Sequence, residues 1–67
     1  MTAQKLNEKF GEYGKSNRHF IEWAERMTGQ VFHGSEVSQH RNGKRPMSRY
    51  AKSVYVLYFL LMEKSLL

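Results

Sequence analysis

Apolar residues recur at helical spacing from the start of the chain. Leu6, Phe10 and Tyr13 stand at i, i+4 and i+7, with Lys and Glu among the positions between them, which is one face of an α-helix over residues 3–13. Thr2 is placed to cap its start and Gly14 to stop it. Ser16 or Asn17 caps a second predicted helix, residues 17–28, with Phe20, Ile21, Trp23, Ala24 and Met27 as its stripe and Gly29 at its end. Ala24 in mid-stripe lets another helix approach closely. Glu22 and Arg26 read as an exposed i, i+4 pair.

The pattern then thins. Val31 and Phe32 are expected core anchors inside an irregular turn. Ser35 or His33 caps a third helix, residues 35–41, with Asn42-Gly43 as its left-handed stop. Val37 is the one aliphatic residue of this helix, and His40 follows a turn later on the same face. Ordering a residue costs about 1–2 kcal/mol of backbone entropy, so hydrophobic burial alone does not account for this segment. Pro46 and Ser48 start the last predicted helix, residues 47–64, which is apolar nearly all round from Tyr50 to Met62. No strand is predicted. The expected fold class is all-α, a small helical bundle in a single domain over residues 1–67, closed by a long C-terminal helix.

Size and composition sharpen that picture. A chain of 67 residues buries only about 60% of its unfolded surface and needs some staple. It has no cysteine, which removes disulfides and thiolate-bound metal. A helix without a polar face is buried on more than one side, so the expected staple is a homodimer through the C-terminal helix, with Tyr55, Tyr58, Phe59 and Met62 at the interface. The apolar run Val54–Met62 is short of the ~20 residues a membrane span requires, and the polar N-terminus has no signal-peptide character. A cytoplasmic protein with no membrane contact is the expectation.

The formal charge is +5, and its distribution matters more than its total. Arg41, Lys44, Arg45, Arg49 and Lys52 fall between His40 and Lys52 with no acid among them. The other six basic residues are matched by the six acidic ones. A like-charge cluster repels itself unless an anion meets it, and phosphate is the commonest such partner. His33 and His40 are too sparse for a metal site, and no nucleophile–base pair or phosphate-binding glycine loop is present. Neither a cofactor, a small-molecule ligand nor catalysis is expected. Trp23 and the tyrosines read as core or dimer interface, and His40 as a packed or hydrogen-bonded histidine.

Together these features describe a short polar helix followed by a basic exit. Ser35, Glu36, Ser38 and Gln39 are the expected base-contacting residues in a DNA major groove, Gln39 foremost because glutamine pairs bidentately with adenine. Arg41, Asn42, Lys44 and Arg45 would meet phosphates where the chain leaves the groove. Ser16, Asn17 and Arg18, at a helix N-terminus with free N–H groups, form a second expected phosphate site.

The run Trp23-Ala24-Glu25-Arg26-Met27, a glycine, then Glu36 to Pro46 (EVSQHRNGKRP) resembles the helix-turn-helix of the phage repressor and Cro family. The resemblance covers about Phe20–Ser48, and its most specific piece is Asn42-Gly43-Lys44-Arg45-Pro46. The turn between Met27 and Val37 is longer than the family pattern, and His40 stands where the family usually has a large apolar residue. The resemblance implies a sequence-specific, Cro-like transcriptional repressor from a phage or plasmid, binding a palindromic double-stranded operator as a homodimer and acting by occlusion. Two rival readings remain: a protein-interaction module of antitoxin or inhibitor type using the apolar last helix, and a nonspecific architectural DNA binder.

Overall fold

The computed structural model describes residues 1–67 as four helices: α1 (Ala3–Tyr13), α2 (Asn17–Thr28), α3 (Gly34–Asn42) and α4 (Arg49–Glu63). α1 and α2 have the bounds their periodicity predicts. Each is capped as expected, with Thr2 Oγ1 accepting from the Lys5 N–H and Ser16 Oγ from the His19 N–H, both at 3.1 Å. α3 is one residue longer at each end than predicted. It ends at Gly43, whose φ of 80° is a left-handed conformation that an L side chain adopts only at a cost. α4 begins at Arg49 rather than 47, because Ser48 acts as the cap and accepts from the Ala51 N–H at 3.1 Å.

α1 and α2 both pack against α3 and α4, and the space between them is filled with rings. Leu6 and Phe10 come from α1, Phe20, Trp23 and Ala24 from α2, Phe32 from the turn, Val37 from α3, and Ala51, Val54, Tyr55, Tyr58, Phe59 and Met62 from α4. Phe20 lies at the centre, with its ring 4.6 Å from Tyr55, 5.0 Å from Tyr58 and 5.2 Å from Phe32 between centroids. Phe10 meets Phe59 edge-on at 5.1 Å. Such aromatic pairs are each worth about 0.5–1.5 kcal/mol beyond area burial.

Three sequence expectations are corrected here. Tyr55, Tyr58, Phe59 and Met62, expected at a dimer interface, lie in the chain's own core: Tyr55 and Tyr58 are fully buried, and the other two nearly so. The apolar surface left on α4 is Tyr50, Val56, Leu57 and Leu60. The helix is apolar all round, but the bundle covers only one side of it. Val31 is exposed, since the turn brings only Phe32 inward, and Met27 in the last turn of α2 is exposed as well. Glu22 pairs with Arg18 at 3.3 Å rather than with Arg26, so the exposed ion pair of α2 forms one turn earlier.

The buried tyrosine hydroxyls need partners, and two histidines supply them. His40, itself buried, meets Tyr55 Oη through Nδ1 at 2.8 Å, and His19 Nδ1 meets Tyr58 Oη. No Cα of α3 comes within 8 Å of a Cα of α4, so these helices join through side chains, with His40–Tyr55 as their hydrogen bond. Burial pushes both tyrosine pKa values upward. Burial likewise holds His40 below its ordinary 6.5, with Glu36 pulling it up and Arg45 pushing it down.

Two outcomes are expected. Tyr55→Phe leaves the His40 imidazole unpartnered in the core and should lower the unfolding free energy in urea by about 1–3 kcal/mol. For pH, the unfolded chain takes up a proton on His40 near 6.5 that the folded chain refuses until lower pH, so stability is full above that range and declines as pH falls through it. Wild type should lose more stability than His40→Gln between about pH 7.5 and 5.5; parallel pH profiles would contradict the assignment.

Candidate nucleic-acid interface

α3 is held at its edges rather than by bulk. Val37 and His40 are its buried residues, and the remaining fastenings are polar. The Glu36 carboxylate reaches back to the His33 backbone N–H at 3.4 Å, a capping contact at the helix start. At the other end the Lys44 and Arg45 N–H groups both donate to the Gln39 carbonyl, at 3.0 and 3.3 Å. The Lys44 N–H also reaches Asn42 Oδ1 at 3.0 Å.

Arg41 is the longest-reaching of these fastenings. Its Nε donates to Asn7 Oδ1 on α1 at 2.9 Å and its Nη1 to Asn17 Oδ1 at the start of α2 at 2.8 Å. Its guanidinium carbon lies 4.5 Å from the centre of the Phe10 ring, within cation–π range. Asn17 Nδ2 then donates to Ser38 Oγ at 3.1 Å. One side chain thus ties α1, α2 and α3 together. Asn7, Asn17, Ser38, Arg41 and Asn42 line an open cleft of about 250 Å³ with no apolar and no acidic residue.

On a helix of about 3.6 residues per turn, Ser35, Ser38 and Asn42 share the side opposite Val37 and His40, with Gln39 at its edge. Ser35, Ser38 and Asn42 are exposed and Gln39 is half-buried. Lys44 and Arg45 follow in the loop, and Arg49 and Lys52 open α4; all four are exposed. The ion pairs of the molecule, Lys9–Glu12 and Arg18–Glu22, involve none of them.

Sequence-predicted site residues therefore divide into two groups. Ser35, Gln39, Lys44 and Arg45 have side chains without an intramolecular hydrogen bond or ion pair and remain available to a partner. Glu36 is turned toward the helix cap, and Arg41 is held in the cleft by the two asparagines. Ser16 serves as the α2 cap, Asn17 bridges Arg41 and Ser38, and Arg18 is engaged with Glu22 in an exposed pair of the kind worth little. Asn7 is the residue that sequence reasoning passes over. It is a single polar position on α1, 34 residues from Arg41, and nothing local marks it. No three His, Cys, Asp or Glu side chains gather as a metal site, and no helix is long and apolar enough to cross a membrane.

The outer side of α4 carries a second feature, an apolar groove of about 390 Å³ lined by Arg49, Lys52, Ser53, Val56, Leu57 and Leu60. Comparison with family models, with curated proteins and with solved structures gives no match.

The Arg41 network yields a stability prediction. Arg41→Lys keeps the charge but loses the planar fork that serves both asparagines, and should destabilise the fold by about 1–3 kcal/mol. Arg45→Gln, on the exposed loop, should stay within about 0.5 kcal/mol of wild type. Urea denaturation of the two variants side by side checks both.

Proposed function

We propose that the chain is a sequence-specific DNA-binding regulator that seats the outer side of α3 in the major groove and acts by occluding its operator. The supporting observation is the juxtaposition of a polar helix face, Ser35, Ser38 and Asn42 exposed and Gln39 half-buried at its edge, with the unpaired cations Lys44 and Arg45 directly after it. Serine, asparagine and glutamine can pair with base edges, while the lysine and arginine neutralise phosphates and supply affinity and register. Gln39 and Ser35 are the base readers in this reading, and α2 with α3 form the helix-turn-helix.

The regulator works as a homodimer through the outer groove of α4. Arg49, Ser53, Val56, Leu60 and Glu63 recur at alternating spacings of four and three residues, the spacing of a helix–helix seam. Its N-terminal end is basic and its C-terminal end carries Glu63. An antiparallel pairing of two copies about a two-fold axis sets unlike charges together at both ends. Val56, Leu57 and Leu60, each more than 40% exposed, are its apolar centre. The same groove favours a second reading, a protein-interaction module in which α4 docks on an unrelated chain. Equilibrium sedimentation separates them: a stable dimer of the purified protein supports the first, a monomer the second.

Gln39→Ala should relax preference at one base position by about 1–3 kcal/mol, and Lys44→Ala should weaken all sequences alike while reducing the salt slope by about one. Binding measured on selected and random duplexes across a salt series checks both. Leu57→Glu should convert the dimer to a folded monomer, seen in sedimentation and circular dichroism, because this side chain lies outside the monomer core.

A further inference from the structure

The cleft beneath α3 has a polarity set by its own hydrogen bonds. Arginine offers only donors, so Asn7 and Asn17 must both turn their carbonyl oxygens to Arg41. The Asn7 amide NH₂ is then left pointing away from the guanidinium. The Asn17 NH₂ donates to Ser38 Oγ, which leaves the Ser38 hydroxyl proton to find another acceptor. Asn42 spends its carbonyl oxygen on the Lys44 N–H, again a group that only donates, and keeps its NH₂ free. Arg41 retains N–H groups beyond the two it has used. Each amide oxygen of the cleft, and Ser38 Oγ, thus already accepts a bond from within the protein, while the amide NH₂ groups of Asn7 and Asn42 and the remaining guanidinium N–H groups are donors without a partner.

The charge points the same way. Arg41 is half-buried and has no carboxylate partner. The cleft is also lined by Asn17, the first residue of α2, where the helix dipole favours an anion.

We propose that this cleft between α1, α2 and α3 is a receptor for one tetrahedral oxyanion, a phosphate, bound by Arg41, Asn7, Asn42 and Ser38. Its chemistry stands without the DNA reading. Under that reading the occupant is a backbone phosphate, and because Arg41 and Ser38 belong to α3, its capture would fix the depth and register of the helix in the groove.

The test is a titration of the intact ¹⁵N-labelled protein with inorganic phosphate, with chloride as the control at equal ionic strength. Saturable shifts of the Arg41 Nε–H and the Asn7 and Asn42 side-chain amides are expected. Asn7→Asp keeps an acceptor for Arg41 and so should fold, but it puts a carboxylate in place of a donor and should bind phosphate about tenfold more weakly or worse. Asn42→Ala, which removes one donor at the rim, should bind several-fold more weakly. An absence of saturable shifts in wild type, or wild-type phosphate affinity in a folded Asn7→Asp, would overturn the proposal; should Asn7→Asp fail to fold, unchanged affinity in Asn42→Ala does so instead. A duplex arm identifies the source. Displacement of phosphate by short duplex DNA assigns the site to the nucleic-acid backbone. Phosphate binding that duplex does not displace leaves the receptor standing for a free anion and counts against the DNA reading alone.

Discussion

The hydroxyl groups of Tyr55 and Tyr58 lie among packed rings, where an unpartnered polar group would cost about 1–3 kcal/mol. Meeting that demand shapes the rest of the molecule. Tyr55 is answered by His40 and Tyr58 by His19, so each of these two buried tyrosines draws in a histidine from a different helix. No buried side-chain nitrogen or oxygen is left without a partner. His40 explains how α3 is fixed to α4 although their backbones stay apart. A larger apolar residue at this position would fill space but leave the Tyr55 hydroxyl stranded.

A nine-residue helix with Val37 as its only buried aliphatic side chain could not be held by area alone. Isolated helices shorter than about 12 residues are marginal in water, and α3 is stabilised instead at discrete points: the Glu36 contact at its start, His40 on its inner face and Arg41 at its edge. This changes the physical reason for the order of the segment. The sequence suggests a helix lacking sufficient internal support. The structure supplies that support through polar bonds to α1, α2 and α4. An outer face free of packing duties follows from this arrangement, and Ser35 and Gln39 can be chosen for what they meet rather than for what they hold.

Legibility in the sequence follows the range of the interactions. Caps, stops and stripes are local, and Thr2, Ser16, Gly14 and Gly29 therefore mark α1 and α2 with the bounds observed. Burial of one side of α4 is not local. Its residues are apolar in nearly every direction, so periodicity cannot say which flank the bundle covers, and Tyr55, Tyr58, Phe59 and Met62 read as an interface although they form the core. The exposed cations of the basic exit were legible because charge and turn chemistry lie in adjacent residues. The cleft was not: Asn7, Asn17 and Arg41 meet across separations of 34 and 24 residues, and an asparagine on a helix surface looks the same whether or not an arginine lies above it.

Charge and fold are coupled in the stretch from Arg41 to Lys52. Arg41 is the one cation of the cluster drawn into the structure, where two amide oxygens and the Phe10 ring replace part of its hydration without cancelling its charge. Lys44, Arg45, Arg49 and Lys52 stay in water with no ion pair. A folded chain that keeps five cations in one region, with no acid in that stretch, retains a repulsion that an acidic neighbour would have relieved. The fold had acids to place, since Glu8, Glu12, Glu22 and Glu25 are all exposed, yet they lie on α1 and α2. Segregation of this kind gives no gain to the isolated domain. Under the proposed function, an extended polyanion lying across α3 and its exit would relieve that repulsion.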